Sequence, residues 1–403
     1  MKKHLCLLGF LALLLIAILS CNPGSEAPTT EKYSLSSDTL ALATQKMQEY
    51  VDSGKWAGIA TLMMMDDEIV YNERFGFANI EEELPVEETT IFRIFSMTKP
   101  VTAVALMTLY EEGKFELDDK LSRYIPEFAD VKVYDPEWKF LESQIDELTI
   151  RHLLTHSSGI IYGWGSSYVD SLYRAAGVGG WDSATIGDQV KLLATLPLKF
   201  QPGTAYEYGL SIDVAGYLIE VLSGVPLDEY FQTKIFDPLK MDDTGFYVPE
   251  EKHARLAVLY YRDKENKLAP ALWGGDRFKK PAILFSGGGG LVSTMGDYLS
   301  FCRMLLNGGK LNGVKILEES TAKMIMSDQL PVLINYKEGM GYGLAGQVDL
   351  VTGEYSWAGA ASTNFWIDPA RETIIITFAQ LMPGDYSYAY EFYDLVKRAQ
   401  IKD

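Results

Sequence analysis

Two apolar stretches near opposite ends of the chain constrain its fold more than any other feature. Ile59 to Met65, the turn Asp66-Asp67-Glu68, and Ile69 to Phe77 read as one strand pair close to the start. Thr363 to Ile367, the turn Asp368-Pro369-Ala370-Arg371, and Thr373 to Phe378 read as a second hairpin close to the end. Helical periods dominate between Pro100 and about Pro249, in Val101 to Glu112, Ile150 to Leu154 and Ile212 to Leu222, the last closed by Gly224 as a C-terminal cap. Further helical periods flank the two hairpins, at Leu40, Ala43, Met47 and Val51 and at Tyr388 to Ala399. Strands at both ends with helices between predict an α+β fold: an antiparallel sheet built from both chain ends, flanked by helices, with a helical subdomain inserted. The sheet part covers about 38–95 and 280–403 and the helical part about 96–279, in a domain of 38–403.

The first residues describe a route rather than a fold. Lys2 and Lys3 precede an apolar run from Leu5 to Leu19, the order of a secretory signal over residues 1–20, and too short to span a bilayer comfortably. Ile18-Leu19-Ser20-Cys21 resembles a bacterial lipobox, with Leu19 where a small residue is usual, and implies cleavage followed by lipid attachment at Cys21. Residues 21–37, rich in Pro, Ser, Thr and Glu, then form a flexible tether that holds the domain to a membrane of the cell envelope, outside the cytoplasm. Loss of Cys6 and acylation of Cys21 leave Cys302 alone, so no intrachain disulfide forms. With 36 basic against 55 acidic side chains the net charge is -19, becoming -21 once Lys2 and Lys3 are cleaved away. Basic runs of five or more are missing from the sequence, which excludes nucleic acid as a partner.

The chemistry gathers at Ser96. Phe92-Arg93-Ile94-Phe95-Ser96-Met97-Thr98-Lys99-Pro100 contains Ser-x-x-Lys, the spacing at which one helical turn brings a lysine beside a serine hydroxyl. Four letters recur by chance in a chain of this size, and Ser320-Thr321-Ala322-Lys323 is a second copy. Ser96 follows an apolar run and opens the apolar helix Val101 to Leu109, so it belongs at a buried helix N-terminus that favours developing negative charge. Ser320 stands among Glu318, Glu319 and Lys323 and reads as a solvated helix start.

Further motifs follow in order: Leu148-Thr149-Ile150-Arg151-His152-Leu153-Leu154-Thr155-His156-Ser157-Ser158-Gly159, Pro202-Gly203-Thr204-Ala205-Tyr206-Glu207-Tyr208, Ser286 to Thr294, Trp357-Ala358-Gly359, and Phe365 to Pro369. Together with Phe92 to Lys99 this set resembles the serine β-lactamase-like family, which includes class C β-lactamases, D-amino-acid peptidases and family VIII carboxylesterases, and it is most similar to the esterases. The resemblance implies a β-lactamase/transpeptidase-like fold, Ser96 as acylated nucleophile, Lys99 and a tyrosine sharing the proton transfers, and the backbone N–H groups of Ser96 and Ala360 as oxyanion donors. It favours Tyr208 over Tyr206, since the family's tyrosine falls six residues after the Pro of Pro-Gly-Thr. A serine hydroxyl needs a neighbouring base, a lysine at its ordinary pKa is protonated, and a tyrosine beside it meets the mirror problem, so the sequence leaves open whether Lys99 or Tyr208 starts as base.

Two departures from the family bear on substrate. Tyr208-Gly209-Leu210 lacks the Asn of the penicillin-recognising members, and Trp357-Ala358-Gly359 brings no cation to meet a substrate carboxylate. Trp357 offers an apolar face, Gly359 permits close backbone approach, and Tyr162, Trp164, Tyr168, Tyr173 and Trp181 are candidates to wall an apolar acyl pocket. His152 and His156 lack the Glu and third ligand of a metal site, Gly287 to Gly290 lacks the ending of a phosphate loop, and Gly-x-Ser-x-Gly does not occur. The expected activity is therefore hydrolysis of small carboxylic esters through an acyl-enzyme, with neither cofactor nor metal. Its alternatives are β-lactamase, D-alanyl-D-alanine carboxypeptidase or D-aminopeptidase chemistry, and a binding lipoprotein without turnover.

Overall fold

A computed structural model of the chain describes residues 33–180, 184–271 and 276–402. The signal segment, Cys21 and Trp181 lie outside the described residues.

The first helix, α1 (Ser37–Asp52), starts where Ser36 accepts a hydrogen bond from the Thr39 N–H, and it turns Ala43 and Met47 inward. Next come β1 (Gly58–Met65), β2 (Glu68–Asn79) and β3 (Leu84–Pro85), which form one side of the sheet. Near the other chain end, β4 (Met340–Tyr342), β5 (Gln347–Asp349), β6 (Tyr355–Gly359), β7 (Thr363–Asp368) and β8 (Thr373–Phe378) form the other side. The two sets join through β8 and β1, where Thr373 lies opposite Met65 and Phe378 opposite Ala60, in the order β4-β5-β6-β7-β8-β1-β2-β3. Every neighbouring pair is antiparallel.

The apolar run of β1 shows no alternation because both faces of the sheet are covered. Ile59, Met63 and Met65 enter one cluster with α1 and a C-terminal helix over Ser387–Ala399, and Ala60, Leu62 and Met64 enter the other. The second face carries α2 (Thr98–Glu111), whose residues from Thr98 to Met107 are all buried, so this stretch is enclosed on every side. Beside α2 runs α3 (Ser211–Ser223), closed by Gly224 in the left-handed region at φ 77. A short strand at Val292–Ser293 pairs with Phe92–Arg93 and draws the glycine-rich segment before it against the N-terminus of α2.

Two boundaries differ from the sequence expectation. Ordered structure begins ahead of Asp38, because Tyr33–Leu35 pairs antiparallel with Gln400–Lys402; the expected tether of 21–37 hid a strand whose ladder is supplied by the distant chain end. Within the stretch assigned to the helical part, α2 packs on the sheet and Tyr260 hydrogen-bonds Gln380 by its backbone N–H, so part of 96–279 belongs to the sheet body. Among the described residues no helix is long and apolar enough to cross a membrane.

Candidate active site

Ser96 stands on a single 3-10 turn, Phe95–Met97, that leads directly into α2. Phe95 before it has φ 41, a conformation that costs a bulky residue about 1–3 kcal/mol and persists only where the surroundings fix it. They do so from several sides. The Ile94 N–H donates to Leu291 O at 3.1 Å, the Tyr298 hydroxyl donates to Met97 O at 3.0 Å, and the Phe95 ring meets Phe278 edge-on at 5.8 Å. Arg93, buried, donates to Ala257 O at 2.6 Å, and its backbone N–H donates to Gln380 Oε1 at 3.0 Å. The turn that presents Ser96 is thus held rigidly, and the serine is half-buried at the edge of a cleft.

One helical turn on, Lys99 is completely buried. Its amine reaches Ser96 Oγ at 3.2 Å, the Tyr162 hydroxyl at 3.2 Å and the Gly288 carbonyl at 2.5 Å. The carbonyl can only accept, so one N–H of Lys99 is committed to it in either protonation state. A neutral amine then has its lone pair and one remaining N–H to share between the two hydroxyls, the arrangement that lets Ser96 hand over its proton.

The two tyrosines at this amine present different atoms to it. Tyr162 offers its hydroxyl, and Tyr208 offers its ring face, 4.5 Å from Nζ. The Tyr208 hydroxyl is buried and has no hydrogen-bond partner among the described residues. Burial, followed by the neighbouring Tyr208 and Asp213, holds the Tyr162 phenol well above its ordinary range, so Tyr162 stays protonated at neutral pH. His156, buried against Tyr208 at a ring separation of 4.7 Å, is held neutral by burial first and by the Lys99 charge second. The sequence placed Tyr162 in the acyl wall; its hydroxyl also touches the amine, and spacing along the chain gives no signal of that contact.

The cleft has a volume of about 320 Å³ and is lined by Ser96, Trp164, Tyr208, Trp357 and Ala360 among others. Trp357 packs at 5.5 Å from Tyr208 and 5.3 Å from Tyr342, with its indole nitrogen buried and unpartnered among the described residues. Gly359 has to be glycine: a Cβ there would lie 2.2 Å from Ile94 O, so only a bare backbone lets β6 close on the turn that carries Ser96. That approach sets Ala360 and Ser96 on the same cleft.

Of the proposed aromatic wall, Tyr162 and Trp164 stack at 4.1 Å and reach the site, with Trp164 76% exposed. Tyr173 is fully buried, and Tyr168 turns to Tyr134 at 4.9 Å; Trp164 precedes the helix Tyr168–Ala176 that carries both, so no shared helical face lines the three rings up. Lys337, from a loop the sequence did not implicate, also lines the cleft, with its amine 4.9 Å from the Tyr336 ring. His152 Nδ1 accepts from the Thr149 N–H and His156 Nδ1 from the Gly209 N–H. Among the described residues no group of three His, Cys, Asp or Glu side chains is arranged to hold a metal ion.

Comparison with known proteins matches this geometry to a family. The family model Beta-lactamase matches residues 43–398. Protein Rv1367c of Mycobacterium tuberculosis is 31% identical over 363 residues, covering 84% of this chain and 89% of that one. Esterase EstB of Burkholderia gladioli is 29% identical over 342 residues, covering 78% and 83%. The solved structure of EstCE1, a hydrolase with promiscuous acyltransferase activity, superposes with a TM-score of 0.76 at 25% identity over 89% of this chain and 98% of that one. With Ser-x-x-Lys at the head of a buried helix beside an antiparallel sheet of β-lactamase/transpeptidase type, the chain belongs to the beta-lactamase family.

Proposed function

We propose that this protein is a serine hydrolase of small carboxylic esters. The observation that carries the reading is the buried Lys99 amine, fixed by the Gly288 carbonyl and 3.2 Å from the Oγ of Ser96, which lines a cleft with Trp164, Tyr208 and Trp357. EstB and EstCE1, an esterase and a hydrolase by name, support it.

In this reading Lys99 takes the Ser96 proton as Ser96 Oγ bonds to the ester carbonyl carbon. The negative charge on the carbonyl oxygen is met by the N–H groups of Ser96 and Ala360. Collapse breaks the bond to the alkoxide, which takes the proton that Lys99 accepted, relayed by the Tyr208 hydroxyl after it turns from its unpartnered position toward the amine. Water then repeats the sequence on the acyl-enzyme, releasing the acid and returning the proton to Ser96. Tyr162, held protonated, keeps the amine in place. Trp357, Gly359, Tyr162 and Trp164 shape the substrate site. The lipobox-like segment adds a second proposal, that Cys21 anchors the enzyme to a membrane of the cell envelope.

Lys337 at the cleft favours a second reading, in which a substrate carboxylate is met there and the reaction is that of a β-lactamase or a D-alanyl peptidase. Parallel rates on short acyl aryl esters, a cephalosporin and a D-alanyl peptide decide between them. Faster turnover of the neutral ester is expected; a clear preference for the carboxylate-bearing substrates overturns the ester reading.

A further inference from the structure

We propose that Asp213 is a positioning residue for Lys99, acting through the Ser286–Gly290 loop. The inference rests on the hydrolase reading of Ser96 and adds the part of the chain that aims its base.

Asp213 lies in the first turn of α3, is 7% exposed, and is not among the residues that line the cleft. Its Oδ1 accepts from Ser286 Oγ at 2.5 Å and from the Gly288 N–H at 3.2 Å. The other side of the same residue, the Gly288 carbonyl, accepts from Lys99 Nζ at 2.5 Å. Gly288 is therefore clamped between a carboxylate on α3 and an amine on α2, and its carbonyl direction is set by both.

The rest of the loop has no slack. The Thr102 hydroxyl donates to Gly287 O at 2.6 Å, and the Leu291 N–H donates to Thr98 Oγ1 at 3.1 Å, both on α2. A Cβ at Gly288 would stand 2.3 Å from Asp213 Oδ2, and one at Gly287 would stand 2.9 Å from Ile212 O. The glycines let the loop thread between the two helices; Asp213 and Ser286 decide where it stops. Burial raises the Asp213 pKa, and the Lys99 charge opposes that rise.

The consequence is directional. Because the Gly288 carbonyl engages one N–H of Lys99, the amine's remaining positions face Ser96 and Tyr162. Released from that carbonyl, the amine can rotate, and proton transfer from Ser96 loses its alignment while the cleft keeps its shape.

The test compares the full chain with Asp213→Ala, Asp213→Asn and Ser286→Ala, measuring kcat and KM on a short acyl aryl ester and the rate at which a fluorophosphonate labels Ser96. Asp213→Ala should lower kcat and labelling by about 10- to 100-fold, the cost of a misplaced reacting group, with KM changed less than about 3-fold. Asp213→Asn keeps an oxygen for both donors and should stay within about 5-fold of wild type, and Ser286→Ala should lose about 3- to 10-fold. If Asp213→Ala does not fold, as a melting curve would show, the other two variants decide. Folded Asp213→Ala and Ser286→Ala proteins with wild-type kcat, a loss confined to KM, or Asp213→Asn as damaged as Asp213→Ala would overturn the inference and leave the hydrolase reading standing. A wild-type protein that fluorophosphonate does not label overturns both.

Discussion

The chain contains the same four-residue spacing twice, and the two copies end in opposite environments. Ser96 and Lys99 enter a helix whose first ten residues are buried, with the amine among two hydroxyls and a carbonyl. Ser320 and Lys323 belong to the surface helix Glu319–Ile325, where the amine pairs with Glu319 Oε1 at 2.6 Å and the two side chains are 72% and 65% exposed. There the amine is held by a carboxylate in solvent rather than against the Ser320 hydroxyl. At Lys99 the contacting groups are neutral, and among the described residues no carboxylate lies within ion-pairing distance. Spacing brings a serine and a lysine together; what surrounds the amine decides whether they react.

The sharpest way to break this comparison is to delete each serine. Ser96→Ala should lower ester turnover by about 10⁴-fold or more, as loss of a covalent nucleophile does, whereas Ser320→Ala should leave kcat unchanged. Deleting each lysine comes next. Lys99→Ala should cost about 10²- to 10⁴-fold in kcat, and Lys323→Ala should change neither kcat nor, beyond about 0.5 kcal/mol, the folding free energy. Retention of more than a tenth of wild-type hydrolysis by Lys99→Ala contradicts its assignment as the base.

A smaller effect sharpens what the buried copy faces. Trp357→Lys should shift the ratio of rates toward carboxylate-bearing substrates by about 1–3 kcal/mol, provided a melting curve shows the variant folded. An unchanged ratio in a folded variant removes Trp357 from recognition.

The smallest expected effect concerns stability. Burial holds His156 neutral in the folded state well below its ordinary 6.5, so the unfolded chain takes up the proton first as pH falls. Stability is therefore undiminished above that value and declines as pH drops below it, by up to about 1.4 kcal/mol per pH unit from this group until its depressed folded pKa is reached. His156→Asn, a residue that tolerates the backbone φ of 52 there, should flatten the decline in Tm between neutral and mildly acidic pH. An identical decline in the variant shows that His156 is not its source.

Much of the fold was legible because its elements carry local signals. The hairpin over Thr363 to Phe378 and the helix closed by Gly224 fall within a residue or so of where period and cap residues put them. The pairing of Tyr33–Leu35 was not legible, since a three-residue segment becomes a strand only through a partner at the far chain end. The site divides along the same line. Ser96 and Lys99 are one helical turn apart, so sequence alone brings them together. The Tyr162 hydroxyl, the Gly288 carbonyl and Lys337 arrive from segments with no fixed spacing to Ser96, and only tertiary packing assembles them.

The most direct measurement of the central claim is the mass of the acylated protein, trapped by acid quench during turnover of an aryl ester and mapped by proteolysis. The account predicts one acyl group, on the peptide that contains Ser96, and none on the peptide that contains Ser320. An acyl group on another residue, or steady turnover by Ser96→Ala, would contradict it.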